Sequence, residues 1–129
     1  MKFAKIKNEG EIRYVSEWDD ETIAMLANFL YSAIRTDWSY DAFTNWLKHK
    51  EIGDRGVYGE IYGLEEHNGR IYVIDTFDSE EERYKYFNTT RENMLRIIDD
   101  WVRIICQRPE PSTIIVTEKN EEVKFAAED

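Results

Sequence analysis

The chain has few of the residues that make covalent staples, nucleophilic sites or metal cages. Its one cysteine, Cys106, has no partner for an internal disulfide. Small secreted domains usually pair their cysteines, so a single thiol points to a reducing compartment. The two histidines, His49 and His67, stand in no His-x-x-x-His spacing, and Cys-x-x-Cys is absent. No zinc site is expected from such a set. Gly53, Gly56, Gly59 and Gly63 form no phosphate-binding loop and lead into a strand instead of a helix. The two prolines, Pro109 and Pro111, flank one short connection and leave no proline-rich linker. No stretch approaches the ~20 apolar residues of a membrane span. The start carries Lys2, Lys5 and Lys7 where a signal peptide needs an apolar run. A cytoplasmic protein with no membrane contact is the expectation.

The chain does have enough apolar material for one core. Its 129 residues suit one domain, and they are 42% hydrophobic and 14% aromatic. A chain of this size needs no disulfides to hold together.

Periodicity and turn chemistry predict an α+β fold with three helices in the order ββααββαββ. Residues 3–6 and 12–15 read as short strands around a turn at residues 7–10. A helix follows, capped by Asp19 or Asp20, with Ile23, Leu26, Ala27, Leu30, Tyr31 and Ile34 at helical spacing. A second helix starts with Ser39 as N-cap and stops near Gly53. Residues 57–66 and 70–77 read as two strands joined through Asn68-Gly69, a pair that accepts the positive φ of a type I′ turn. That turn sets Glu65 opposite Tyr72 and Gly63 opposite Ile74. One hairpin face then carries Gly59, Ile61, Gly63, Tyr72 and Ile74, flat enough at its glycines for close packing of a helix or aromatic ring. The other carries Tyr58, Glu60, Tyr62, Leu64, Ile71, Val73, Asp75 and Phe77. Thr89 and Glu92 have capping-box spacing before the third helix, whose Glu92/Arg96 and Asp99/Arg103 pairs balance its polar face. Residues 113–117 and 123–125 close the chain as strands. A mostly antiparallel sheet with helices packed on one side is expected.

Charge is the most informative feature. There are 27 acidic against 17 basic residues, a net charge of −10. That argues against binding nucleic acid through its phosphates. Residues 56–82 contain Glu60, Glu65, Glu66, Asp75, Asp78, Glu80, Glu81 and Glu82 against one base, Arg70, and so hold most of the excess. Such a cluster serves either as a solvated edge that blocks unwanted strand pairing or as a docking surface that steers a basic partner. Tyr58, Tyr62 and Phe77, on the same predicted face as Glu60 and Asp75, supply the aromatic anchors interfaces use.

Chemistry finds little footing. His49 and His67 are both expected to be exposed. Cys106 lies at a helix C-terminus, where negative potential disfavours a thiolate, and reads as an inert small apolar residue. The run from Asp75 to Glu82 lacks the alternation and central glycine of a calcium loop. Nothing singles out two carboxylates for glycoside chemistry. Trp18, Trp38, Trp46 and Trp101 are expected as packing anchors, the first two flanking helix starts. No catalytic residue, metal or cofactor is expected, and the chain reads as a binding protein and not an enzyme.

The later part of the chain has a recognisable pattern. A strand with Gly59-Glu60-Ile61-Tyr62-Gly63 turns at Asn68-Gly69 and returns to Asp75-Thr76-Phe77-Asp78. Then come Thr89-Thr90-Arg91-Glu92-Asn93-Met94-Leu95, a helix with Asp99-Asp100-Trp101, and a final strand at Ile114-Ile115-Val116-Thr117. Residues 57–129 in this respect resemble small acidic immunity proteins of bacterial polymorphic and contact-dependent toxin systems. The resemblance implies a cytosolic inhibitor that binds a toxin domain, often a basic nuclease, and blocks its active site. Those families share no fixed inhibitory residues, so none is carried over. The alternatives are a phage DNA mimic acting against restriction or CRISPR defence, and a housekeeping domain or small enzyme without a motif.

Overall fold

A computed structural model describes residues 1–10, 12–35 and 37–128, with only the backbone of Asp37. The strands are β1 (Lys2–Glu9), β2 (Ile12–Trp18), β3 (Gly56–Tyr58), β4 (Tyr62–His67), β5 (Arg70–Asp75), β6 (Asn88–Thr89), β7 (Thr113–Lys119) and β8 (Glu122–Ala127). The helices are α1 (Glu21–Ala33), α2 (Asp37–Lys48) and α3 (Arg91–Ile105), with a single 3-10 turn at Lys50–Ile52. The α+β class holds, and the main elements follow the expected order.

The strands form two antiparallel sheets, not the single sheet expected. One has the order β2-β1-β7-β8 and the other β3-β4-β5-β6. The first joins the N-terminal and C-terminal hairpins by pairing β1 with β7, Ala4 opposite Val116 and Ile6 opposite Ile114. These four side chains are wholly buried, as are Leu64, Ile71 and Val73 of the second sheet. Helices α1 and α3 each contact strands of both sheets. This explains why α1 is apolar over more than one stripe: Ile23, Met25, Leu26, Ala27, Phe29 and Leu30 are all buried. Trp101 of α3 is fully buried, and its indole N–H donates to the Ile34 carbonyl at 3.2 Å.

The helix ends follow the local signals only in part. Asp20 caps α1, its carboxylate accepting the Thr22 N–H at 2.8 Å. Ser39 is not an N-cap. It lies buried inside α2, and its Oγ accepts the Arg35 N–H. The cap of α3 is Thr90, which accepts the Asn93 N–H. Thr89, one residue earlier, is buried in β6 and accepts from the Asn93 side chain. The acid–base pairs on α3 are also rearranged. Asp100 takes Arg96 and Arg103, while Asp99 accepts the Tyr40 hydroxyl at 2.6 Å.

The central segment departs most from expectation. Residues 57–66 are not one strand. They fold into a tight hairpin, β3 and β4, around Glu60-Ile61, closed by the Gly59 N–H donating to the Tyr62 carbonyl at 2.8 Å. The β4–β5 register is as the Asn68-Gly69 turn dictates, Glu65 opposite Tyr72 and Gly63 opposite Ile74, with φ of 52° and 78° in the turn. Beyond Tyr62 the ladder gives way to a single bond from the Thr76 N–H to the Ile61 carbonyl. The extra turn moves Tyr58 to the other face, because it now pairs with Gly63.

Candidate partner-binding surface

The glycines of the central sheet are covered by the chain itself. Tyr58 lies across Gly56 and Gly63. A Cβ on Gly63 would stand 2.9 Å from Tyr58 Cδ1, and one on Gly56 would stand 2.6 Å from its hydroxyl. The loop after β5 then folds back over the same face, anchored where the Val73 N–H donates to the Phe87 carbonyl at 2.9 Å. This fold-back brings Arg83 and Tyr84 onto Glu65.

Glu65 is therefore a buried ion, 1% exposed, inside a cage of donors. Its Oε2 accepts from the Tyr58 hydroxyl and from Arg83 Nη1 at 2.8 Å. Its Oε1 accepts the Tyr84 hydroxyl at 2.6 Å, with Arg55 Nη2 at 3.6 Å. Burial pushes the carboxyl up. The hydrogen bonds from Tyr58, Tyr84 and Arg83 outweigh it and hold the group below the ordinary glutamate value. Tyr58 is pushed up to about 12, by burial first and then by its bond to Glu65. Tyr84 stacks on His67 with centroids 3.9 Å apart. His67 is accordingly half-buried, not exposed as expected.

The surrounding arginines consume more of the acidic cluster. Arg55 pairs with Glu80 at 2.6 Å. Arg91 reaches Glu66 at 3.5 Å while lying over the Trp46 ring, 4.5 Å from its centroid. Arg55 and Arg83 flank the stretch counted as acidic and Arg91 comes from the start of α3, so a count along the chain overstated the field. Glu65 leaves the expected docking set because it is buried. Glu66 and Tyr62 are half-covered, Tyr62 packing against the core.

At the Glu60-Ile61 end of the sheet the situation reverses. Among the described residues, Glu60 and Asp75 make no ion pair there, nor do Asp78, Glu81 and Glu82 of the loop after β5. Asp75 instead accepts the Phe77 N–H at 2.9 Å. Glu60, Glu81 and Glu82 are exposed, and Asp75 and Asp78 are half-exposed. Phe77 is 81% exposed, Tyr58 48% and Ile61 45%. Thr76 ties the two turns together, its N–H donating to the Ile61 carbonyl and its hydroxyl to the Glu60 carbonyl at 3.3 Å. Tyr58, at the end of β3, and Phe77, in the turn after β5, are thus at the rim of the sheet.

Two further expectations need correction. Trp18 and Trp38 are not packing anchors, being 54% and 79% exposed, whereas Trp46 and Trp101 are buried. The local pattern of an indole before a helix matched a staple, but both rings stay largely in solvent. Cys106 is exposed at the end of α3, not packed. His49 is exposed as expected and lies 2.9 Å from Glu51. Among the described residues no group of three or more histidines, cysteines or acids is placed to hold a metal ion. No helix among them is long and apolar enough to cross a membrane.

Comparison with family models, curated proteins and solved structures returns no match for this chain.

Proposed function

We propose that this chain is a protein-binding inhibitor, an immunity protein that neutralises a cognate bacterial toxin domain by docking a cationic surface of it. The observation that carries the reading is the coincidence, at one end of the central sheet, of unpaired carboxylates with exposed aromatic and aliphatic side chains. Glu60 and Asp75 at that end, helped by the exposed Glu81 and Glu82 of the loop after β5, would draw the partner in, and Tyr58, Ile61 and Phe77 would hold it. Large exposed apolar groups ringed by charge are the composition of binding hot spots. Complementary charge acts mainly on the rate of encounter. Phosphate mimicry has less support, since Glu65, Glu66 and Glu80 are already matched to arginines and leave no regular rail of charge.

The test uses the wild-type chain and the variant Glu60→Lys/Glu81→Lys/Glu82→Lys as baits in lysate of the native host, at low and high salt. The wild type is expected to retain a basic protein at low salt, with the variant losing it. The retained protein, expressed alone as a toxin, should be neutralised by co-expression of the wild type. In stopped-flow mixing the variant should associate more slowly, with a flatter dependence on ionic strength. Equal capture and equal on-rates for both baits would reject the acidic surface.

A further inference from the structure

Beside the acidic end of the sheet, a cleft of about 480 Å³ opens between α1, α2 and the β3–β4 turn. Its floor is apolar: Phe43 is 2% exposed and Ala33 9%. Gly59 brings the β3–β4 turn against α1 at the edge of the cleft, where a Cβ would rest in ordinary contact with the Ala33 Cβ at 3.4 Å. Trp38 of α2, 79% exposed, lines the same cleft as the half-exposed Ile61 and Tyr58. A chain with a well-filled core has no folding reason to leave an indole in water at the mouth of an apolar hollow.

We infer that this cleft seats an apolar anchor side chain, aromatic or long aliphatic, from a cationic segment of the protein partner. The inference rests on the inhibitor reading and names what that partner presents. Charge decides the occupant. Glu60 lies on the rim and Asp75 one hydrogen-bonded turn away through Thr76, both without an ion pair among the described residues. A Lys or Arg next to the anchor meets them. A second copy of this chain, carrying the same net charge of −10, meets them with repulsion. Arg35 also lines the cleft and favours an acceptor in the segment beside the anchor.

The four indole N–H resonances make the test specific. Trp46 and Trp101 donate to backbone carbonyls inside the fold and report folding, while Trp18 reports a distant surface. The full chain, labelled with 15N, is titrated with the acetylated and amidated tripeptide Arg-Phe-Arg, and with Arg-Ala-Arg and Glu-Phe-Glu. The Trp38 indole and the Gly59 amide are expected to shift with Arg-Phe-Arg, at an affinity about fivefold or more above that of either control. Glu60→Lys should weaken binding and Ala42→Trp, which fills the cleft, should abolish it, with the Trp101 resonance unmoved in both. An equal response to Arg-Ala-Arg, a response at Trp18 alone, or a Trp38 shift that follows protein concentration without peptide would overturn the inference. Capture of a host protein separates it from the inhibitor reading. If Ala42→Trp still captures the partner and Glu60→Lys/Glu81→Lys/Glu82→Lys does not, the cleft is rejected and the inhibitor stands. If both still capture it, both are rejected.

Discussion

The two halves of the central sheet solve the same problem in opposite ways. Both are rich in carboxylates and tyrosines. Around Glu65 the acids are matched by arginines and tyrosine hydroxyls drawn from β3 and from the loop after β5. Around Glu60 the acids stand in water beside exposed Ile61 and Phe77. A buried carboxylate is tolerated only with its hydrogen bonds made, so the first half serves the fold. An exposed acid beside an exposed ring is not needed for folding, so the second half is free to serve a partner. Residue type is nearly the same in both; what differs is whether the chain doubles back to cover it.

The largest effect expected from this contrast is at Glu65. Replacing it by Leu strands Arg83 and two tyrosine hydroxyls under the loop, and should cost about 3 kcal/mol or more in urea unfolding. Loss of protection at the amides of residues 78–87 in hydrogen exchange would place the damage in the fold-back. A cost no greater than that of an exposed acid would erase the distinction between the halves.

A second, smaller effect is the dependence on acid. The folded-state pKa of Glu65 is lowered from 4.5, so its contribution is fully present above that value and fades as pH falls through the folded one. Asp20, lowered by its bonds from Thr22, adds in the same direction. Urea midpoints should therefore fall as pH drops below about 4.5, and Glu65→Gln should flatten the slope. An unchanged slope in that variant would assign the acid sensitivity to other groups.

The smallest effect is the most telling for function. Glu60→Lys and Trp38→Ala should leave the thermal midpoint where it is, because neither residue is buried or paired. A marked loss of stability in either would show that the open end also works for the fold.

Much of the architecture was readable because it is local. The Asn68-Gly69 pair fixes a hairpin register, since few residues accept its backbone angles, and the register of β4 and β5 follows from it. The Asp20 cap and the apolar spacing of α1 and α3 are likewise encoded within a few turns of chain. The turn at Glu60-Ile61 was missed because a β-branched residue there carries no turn signal. The site was partly legible. The count along residues 56–82 found the carboxylates and aromatics but could not tell Glu65 from Glu60. Trp38 and the cleft beside it were missed altogether, since an indole before a helix reads as packing until its neighbours are known.

The amino-acid order by itself determined the helices, the main turns, the acidic excess and the lack of any cysteine, histidine or glycine pattern for chemistry, all of which depend on neighbours a few residues apart. Tertiary structure decided the pairing of β1 with β7, the division into two sheets and the fate of each carboxylate. Those depend on which arginine arrives from elsewhere in the chain, and a charge is cancelled by what lies near it in space.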